Sequence, residues 1–286
     1  MARCEVCFHR CEIPEGGRGL CGARTCADGR VIPENYGRVT ALALDPIEKK
    51  PLRRFHPGGM VLSVGSYGCN LRCPFCQNHE ISWSAEAMGY AERADKVTPE
   101  ALVRTAVRLK GEGNIGIAFT YNEPLVGWEF VRDTARLAHE AGLASVLVTN
   151  GTARLAVLEA IAPWIDAMNI DLKGFTNRYY SKVLGGSLDM VRAFIEAAVR
   201  TCHVELTTLI VPGENDTADE MRALSTWVAG LTDGEGRPIG REIPLHISRF
   251  FPRFKMTDRR ATDVSCVYRL ADVARERLEY VYTGNC

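Results

Sequence analysis

The chain has 286 residues, 46% of them hydrophobic, which is enough for one large α/β domain or two small ones. Its 35 lysine and arginine residues balance its 35 aspartate and glutamate residues, so no basic surface for nucleic acid or anionic lipid is indicated. We find no signal peptide and no apolar run long enough to span a bilayer, and therefore expect a cytoplasmic protein with no nucleic-acid or membrane partner.

The first part of the chain has little apolar periodicity. Residues 1–30 are rich in cysteine, glycine and arginine, and a bound metal can hold such a segment together where a hydrophobic core cannot. Residues 30–52 read as short extended pieces separated by turns. We therefore divide the chain into an N-terminal cysteine-rich, metal-binding and extended segment, 1–57, and a larger domain, 58–286.

From residue 60 onward, short apolar runs alternate with amphipathic runs bounded by helix-capping residues. The predicted strands cover 60–66, 115–121, 144–151, 167–174, 203–213 and 243–252, with a last short strand at 279–284. The predicted helices cover 98–113, 127–142, 153–163, 189–201, 217–231 and 264–278. Six consecutive strand–helix repeats predict an α/β fold, for which we favour an incomplete parallel (β/α)6 barrel. The glycine fingerprint of a dinucleotide-binding domain does not follow the first strand.

Polar clusters follow five successive strands of this pattern. They read "TYNEP", "TNG", "DLKG", "VPGEND" and "SRFFP", and a cysteine triplet follows the first strand. In (β/α) barrels the chemistry lies at the carboxyl ends of the strands, so we expect these clusters to meet at one edge.

The triplet is Cys69, Cys73 and Cys76, in "CNLRCPFCQNH". With His79 as a fourth ligand it could form a structural zinc site. Alternatively, the three thiolates hold three irons of a [4Fe–4S] cluster and leave the fourth iron open for a small molecule. Spacing alone leaves both interpretations open.

The C-x3-C-x2-C spacing, with Phe75 before the last cysteine at the end of the first strand, resembles the radical S-adenosylmethionine (SAM) superfamily. The resemblance implies a [4Fe–4S] cluster whose open iron binds the amine and carboxylate of SAM. One electron from the cluster then cleaves SAM to methionine and a 5′-deoxyadenosyl radical, which takes a hydrogen atom from a substrate.

The same resemblance assigns cofactor-binding residues in the other loops. Glu123 in "TYNEP" takes the place of the family's acid that holds the methionyl ammonium, although Tyr121 and Asn122 replace two glycines. Thr149 and Asn150 match a loop that approaches the ribose, or form only a strand-to-helix turn. Lys173 would bind the methionyl carboxylate, and Asp171 would lie beneath the site or face it. His246 and Arg249 are candidates for substrate contact, although Arg249 could instead pair with a surface acid.

Within the superfamily, "DPIEKKPLRRFHPGG", "GCNLRCPFCQNHEIS", "FTYNEP", "VPGEND" and "YVYTGN" resemble the AmmeMemoRadiSam-system enzymes, relatives of pyruvate formate-lyase activating enzyme.

Upstream, Cys4, Cys7, Cys11 and Cys21 suggest a second metal site, either zinc or an iron–sulfur cluster. Cys26 and His9 are spare ligands for it. The alternative is that these cysteines hold no metal. Their position before the triplet departs from activating enzymes with extra clusters.

Three functions remain open from the sequence. The protein could activate a partner by taking a glycine hydrogen, or it could take hydrogen from a small molecule. Outside the enzyme class, it could be a zinc-stabilised binding or scaffold protein. The first two require a low-potential electron donor such as flavodoxin or ferredoxin, and the first also requires a protein substrate.

Overall fold

A computed structural model describes the backbone of residues 1–286 and every side chain except those of Met88, Ala91 and Glu92. The strands are β1 (Ala2–Arg3), β2 (Glu12–Ile13), β3 (Arg24–Ala27), β4 (Arg30–Pro33), β5 (Arg38–Val39), β6 (Ala41–Pro46), β7 (Met60–Gly65), β8 (Asp95–Lys96), β9 (Asn114–Phe119), β10 (Ala144–Thr149), β11 (Ala167–Asp171), β12 (His203–Ile210), β13 (Leu245–Arg249) and β14 (Val281–Gly284). The α-helices are α1 (His79–Ser82), α2 (Ala85–Met88), α3 (Tyr90–Arg93), α4 (Pro99–Arg108), α5 (Trp128–Glu140), α6 (Leu155–Ile161), α7 (Leu188–Ala198), α8 (Ala218–Ala229) and α9 (Val264–Arg275).

The fold is a mixed α/β structure built on one mostly parallel sheet. Its eight strands lie in the order β14-β13-β12-β11-β10-β9-β7-β6. The six predicted strands and the short last strand are confirmed to within a few residues, and all seven are parallel. The eighth, β6, pairs with β7 in the antiparallel direction. This pairing was not predicted, because a short extended run does not reveal which strand it will join.

The helices follow their strands because local capping residues start them. Thr98 accepts a hydrogen bond from the backbone N–H of Ala101 at the start of α4, and Pro99 follows it. Ser187 and Thr217 cap α7 and α8 in the same way. The prediction from residues 98 and 99 is thus confirmed. No α-helix among those described here combines the length and apolar character needed to cross a membrane.

The two faces of the sheet pack against different partners. On one face, strand residues such as Leu62, Ile117 and Leu147 join the large core that contains the helix residues. On the other face, a second cluster contains strand and segment residues: Val61, Ala118, Val146, Ala167, Ile47 and Leu52. The 47–55 segment therefore covers this second face, and the sheet is buried on both sides, as its apolar strands require.

A buried carboxylate fixes the 47–55 segment to the sheet. Glu205 of β12 is fully buried and accepts four hydrogen bonds. The donors are the backbone N–H groups of Arg53 (2.9 Å) and Arg54 (2.8 Å) and the rings of His203 (3.0 Å) and His246 (2.6 Å). Burial alone would raise the pKa of Glu205, but the hydrogen bonds lower it to about 2.

We expect Glu205→Gln to lower the free energy of unfolding at pH 7 by roughly 2–4 kcal/mol, because an amide NH2 would face buried N–H donors. Chemical denaturation measures this, and Glu242→Gln, at an exposed position, is the matched control. The pKa of Glu205 is lower in the folded protein than the ordinary value of 4.5. The stabilisation that its charged form gives is therefore complete above pH 4.5 and is lost as pH falls toward about 2. Equal acid sensitivity of the Gln variant and the wild type would contradict this role.

Candidate active site

The cysteine triplet lies in an irregular loop directly after β7. Gly68 in this loop has a φ of 96°, in the left-handed region that favours glycine. A Cβ there would also lie 2.6 Å from the side chain of Ala23 and 2.8 Å from the carbonyl oxygen of Cys21. The backbone N–H of Cys76 donates to the carbonyl of Cys73 at 3.2 Å, which forms a tight turn between the last two cysteines. The loop is thus held both by its own turns and by the N-terminal segment.

The three thiols affect one another electrostatically. Burial raises the pKa of Cys69 well above its usual range, and Glu123 and Cys73 add to this. Burial raises the pKa of Cys73 to about 11, although the positive charge of Lys173 opposes the shift. Burial also raises the pKa of Cys76. Three adjacent thiols, of which Cys73 is buried and Cys69 and Cys76 are half-buried, are an environment in which a bound metal cation relieves both desolvation and repulsion.

The chemistry of these donors fits an iron–sulfur cluster. None of the eleven cysteines, all of them described, forms a disulfide. Within the described side chains, no three or more His, Cys, Asp or Glu residues are grouped closely enough to hold one metal ion. In a [4Fe–4S] cluster each thiolate binds a different iron, so the three sulfurs need not meet at one ion. His79, considered above as a zinc ligand, stacks on Phe254 with ring centroids 4.2 Å apart.

The loop after β9 is braced against the triplet loop. Tyr121 has a φ of 74°, which is strained for a residue with a side chain and occupies a position where the family has glycine. Its hydroxyl donates to Asp45 at 2.8 Å, and the ammonium of Lys50 lies 4.7 Å from its ring centroid. Asn122 accepts from the backbone N–H of Ser66 at 3.1 Å. These contacts hold in place a backbone that glycine would otherwise be needed to form.

Glu123 joins the loops after β9 and β10. One carboxylate oxygen accepts from the hydroxyl of Thr149 (2.7 Å) and the N–H of Leu125 (3.0 Å), and the other accepts from the N–H of Asn150 (2.7 Å). Burial raises its pKa to about 7, although these hydrogen bonds oppose the shift. Glu123 is therefore a buried acid and not a solvated loop residue, and Thr149 and Asn150 do more than form a turn.

A chain of amides connects this group to the cysteines. The side chain of Asn150 donates to that of Asn70 at 2.9 Å and lies 3.8 Å from the sulfur of Cys69. Asn70 in turn donates to the hydroxyl of Thr152 at 2.7 Å. The loops after β7 and β10 are therefore held in one hydrogen-bonded unit.

Lys173 and Asp171 lie at the end of β11 as an ion pair, 2.8 Å apart. Burial opposes the positive charge of Lys173, but Asp171 and Cys73 raise its pKa above the ordinary value. The negative charge of Asp171 also contributes to raising the pKa values of Glu123 and Cys76. The structure thus brings together the triplet, the Glu123 group and this pair at the carboxyl edge of the sheet.

The two remaining candidates make other contacts. His246 binds Glu205 and so belongs to the network that holds the 47–55 segment. Arg249 donates to the carbonyl of Thr262 at 2.7 Å and lies over the ring of Phe251. Among the described side chains, no hydrogen bond links either residue to the group around the triplet. Arg249 therefore pairs with a backbone carbonyl and not with the surface acid considered above.

Sequence reasoning missed four polar residues of this region. Asn70 and Arg72 lie between the first two cysteines, and their polarity inside the motif was a usable signal. Asp45 and Lys50 lie more than 70 positions before Tyr121, and no local pattern connects them to it.

Comparison with known proteins places the chain in a family. Residues 63–225, more than half of the chain, match the radical SAM superfamily. An uncharacterized protein of Methanocaldococcus jannaschii is 40% identical over 286 residues, which cover 99% of this chain and 81% of that protein. The chain therefore belongs to the radical SAM superfamily, and the resemblance inferred from its motifs is confirmed.

Two more distant relatives have named activities. The pyruvate formate-lyase-activating enzyme of Clostridium pasteurianum is 24% identical over 74% of this chain and 89% of its own length. A GTP 3′,8-cyclase of Rhodopseudomonas palustris (strain TIE-1) is 27% identical over 64% of this chain and 54% of its own length.

Among solved structures, Streptococcus suis SuiB bound to S-adenosylmethionine has a TM-score of 0.58 at 13% identity, covering 77% of this chain and 48% of SuiB. QueE from Escherichia coli has a TM-score of 0.53 at 14% identity, covering 87% of this chain and 93% of QueE. The chain thus spans about half the length of SuiB, and both likenesses bear on the fold alone.

The superfamily defines the cofactors. Its members use a [4Fe–4S] cluster and S-adenosylmethionine, and these are accordingly the cofactors of this enzyme.

Proposed function

We propose that the protein is an activating-enzyme-like radical SAM enzyme that removes a hydrogen atom from a glycine of a partner protein. The observation that carries this proposal is the convergence of the three thiols of the triplet, the Glu123 group and the Lys173–Asp171 pair at one edge of a parallel sheet. The activating enzyme of Clostridium pasteurianum, matched over most of both chains, supports the choice of substrate class.

We assign the roles of the site residues as follows. Cys69, Cys73 and Cys76 hold the cluster, which with SAM supplies the one-electron chemistry that breaks a carbon–sulfur bond and takes hydrogen from the substrate. Lys173 binds the methionyl carboxylate, and Asp171 positions the ammonium of Lys173. Glu123 positions the loops that carry Thr149 and Asn150, and its remaining lone-pair capacity is available to the methionyl ammonium.

The architecture is consistent with a large partner. We infer that the sheet is an incomplete barrel, because its edge strands β6 and β14 are not neighbours in the strand order. Such an opening admits a peptide loop, and β6, from the 1–57 segment, is one edge strand of the sheet itself. We further propose a cytoplasmic location and a low-potential donor such as flavodoxin or ferredoxin, because the free thiols and the cluster require reducing conditions.

A second candidate is hydrogen removal from a small molecule, which the similarity to a GTP 3′,8-cyclase favours. In that case Arg249 would hold a substrate carboxylate or phosphate after leaving the Thr262 carbonyl.

Anaerobic incubation of the reduced enzyme with SAM is expected to yield 5′-deoxyadenosine. With candidate proteins encoded beside it in the genome, we expect a stable glycyl signal by electron paramagnetic resonance, because the radical remains on the partner. The enzyme without SAM is the control. Deuterium transfer from a small metabolite into 5′-deoxyadenosine, without a glycyl signal, would reject the activating role and leave the radical chemistry intact.

A further inference from the structure

The N-terminal cysteines lie against the same edge of the sheet as the triplet. Cys7 forms a β-bridge with Ala153 in the loop after β10, and the N–H of Arg154 donates to the carbonyl of Val6 at 2.9 Å. Arg24 forms an ion pair with Glu129 at 2.7 Å, beside the loop after β9.

The triplet loop itself also contacts the N-terminal segment: the N–H of Cys69 donates to the carbonyl of Cys21 at 3.2 Å. The segment therefore covers the loops after three consecutive sheet strands, β7, β9 and β10.

Four of these cysteines form a group of their own. Cys4, Cys7 and Cys21 are buried, Cys11 is half-buried, and the N–H of Cys4 donates to the carbonyl of Cys11 at 2.8 Å. The N–H of Arg10 donates to the carbonyl of Cys7 at 3.3 Å, in the turn between β1 and β2, and a Cβ on Gly19, two residues before Cys21, would lie 3.8 Å from the Cβ of Cys11. Four thiols on one hairpin and the turn packed against it, none of them in a disulfide, form a set of ligands that a metal centre can use.

Cys26, the spare ligand considered above, is not part of this group. Its thiol donates to the carboxylate of Glu15 at 3.4 Å. His9, the other spare ligand, places its Nε2 2.8 Å from the carbonyl oxygen of Asn70. Cys26 and His9 therefore have other partners, and the four cysteines are considered without them.

We propose that Cys4, Cys7, Cys11 and Cys21 hold a second iron–sulfur cluster that passes electrons to the catalytic cluster. Four thiolates are the ligand set of an electron-transfer cluster, whereas the triplet lacks a fourth. As in the triplet, each thiolate binds its own iron, so the sulfurs need not surround a single ion. The existence of this cluster is independent of the proposed function, but its role as a relay rests on the catalytic cluster.

Two contacts connect the two groups of ligands. The hydrogen bond from Cys69 to Cys21 joins a ligand of one cluster to a ligand of the other through their backbones. The carbonyl oxygen of Asn70 lies 2.8 Å from Nε2 of His9, in the N-terminal segment, and the side chain of Asn70 accepts from Asn150, which lies next to Cys69.

A positive charge lies between the same groups. The guanidinium of Arg72 donates to the carbonyls of Cys69 (2.9 Å) and Leu20. A cation in this position lowers the repulsion between two anionic clusters, so electron exchange between them meets less electrostatic opposition.

The step balances as a one-electron transfer. A low-potential donor loses one electron and the N-terminal cluster gains it. That cluster is then reoxidised as the catalytic cluster is reduced, and no bond or proton is exchanged in either transfer.

Metal content tests the site. Wild-type protein reconstituted anaerobically is expected to hold about eight irons per chain, as two four-iron clusters do. Cys21→Ser, and independently Cys11→Ser in case the first variant folds poorly, should lose about four irons, whereas Cys26→Ser should keep all of them. A wild type with about four irons and one zinc, or with about four irons and no other metal, would overturn the proposal.

Reduction kinetics test the relay. When dithionite-reduced flavodoxin is the donor, we expect the paramagnetic signal of the catalytic cluster to appear at least tenfold more slowly in Cys21→Ser than in Cys26→Ser. The signal of fully reduced wild type should also show spin coupling that Cys21→Ser lacks. Equal rates without coupling would reject the relay. Loss of iron in triplet variants measures the catalytic cluster separately, so a failed relay and a failed catalytic assignment are distinguishable.

Discussion

Replacing Cys73 with alanine is expected to abolish 5′-deoxyadenosine formation and to remove about four irons per chain. A cluster left with two protein ligands is poorly held, and the charges of Cys73 and Cys76 both interact with Lys173 in the same site. Iron and sulfide analysis of anaerobically purified protein, together with product assay by chromatography, measures both effects.

Cys202→Ala is the matched control for this variant. Its thiol is also free, and burial raises its pKa to about 12, but its hydrogen bonds are made within the turn between α7 and β12. We expect Cys202→Ala to keep its iron and its activity. A colourless wild type that binds zinc and folds fully, or a Cys73→Ala variant that still makes 5′-deoxyadenosine, would contradict the cluster assignment.

The alternation of strands and helices could be predicted because it depends on local features. Apolar runs of strand length, followed by capped amphipathic runs, give the correct order of the seven parallel strands and of helices α4 to α9. The short helices between residues 79 and 93 were missed, since one turn of helix carries no periodicity. The sequence analysis did not place β6 in the sheet, because its pairing with β7 is a tertiary contact that no local pattern predicts.

The site was predictable to the extent that it follows strands. The triplet, Glu123 and Lys173 come directly after strand ends, and parallel strands bring such residues to one edge. The role of Glu123 as a connection between loops was not predictable, because its partners on β10 lie 26 and 27 positions away. For the same reason the sequence could not show that His246 binds Glu205, 41 positions earlier.

Lys173→Ala is expected to weaken SAM binding about ten- to hundredfold, with the cluster and the fold retained. The variant removes one charged hydrogen bond to the methionyl carboxylate, worth about 1.5–3 kcal/mol. Asp171 loses its ion-pair partner but is partly exposed, so little instability should follow. Equilibrium binding of SAM to the reconstituted protein measures the effect, with Lys182→Ala, at an exposed position nearby, as the control.

Glu123→Ala should also keep the cluster and weaken SAM binding by a similar factor, but it should differ from Lys173→Ala in stability. Its removal leaves the N–H groups of Asn150 and Leu125 and the hydroxyl of Thr149 buried without their acceptor. Each unsatisfied group costs about 1–3 kcal/mol, so denaturation should detect a loss that Lys173→Ala does not show. If Lys173→Ala binds SAM like the wild type, the carboxylate assignment is wrong. If Glu123→Ala is as stable as Lys173→Ala, the carboxylate of Glu123 does not hold the two loops together.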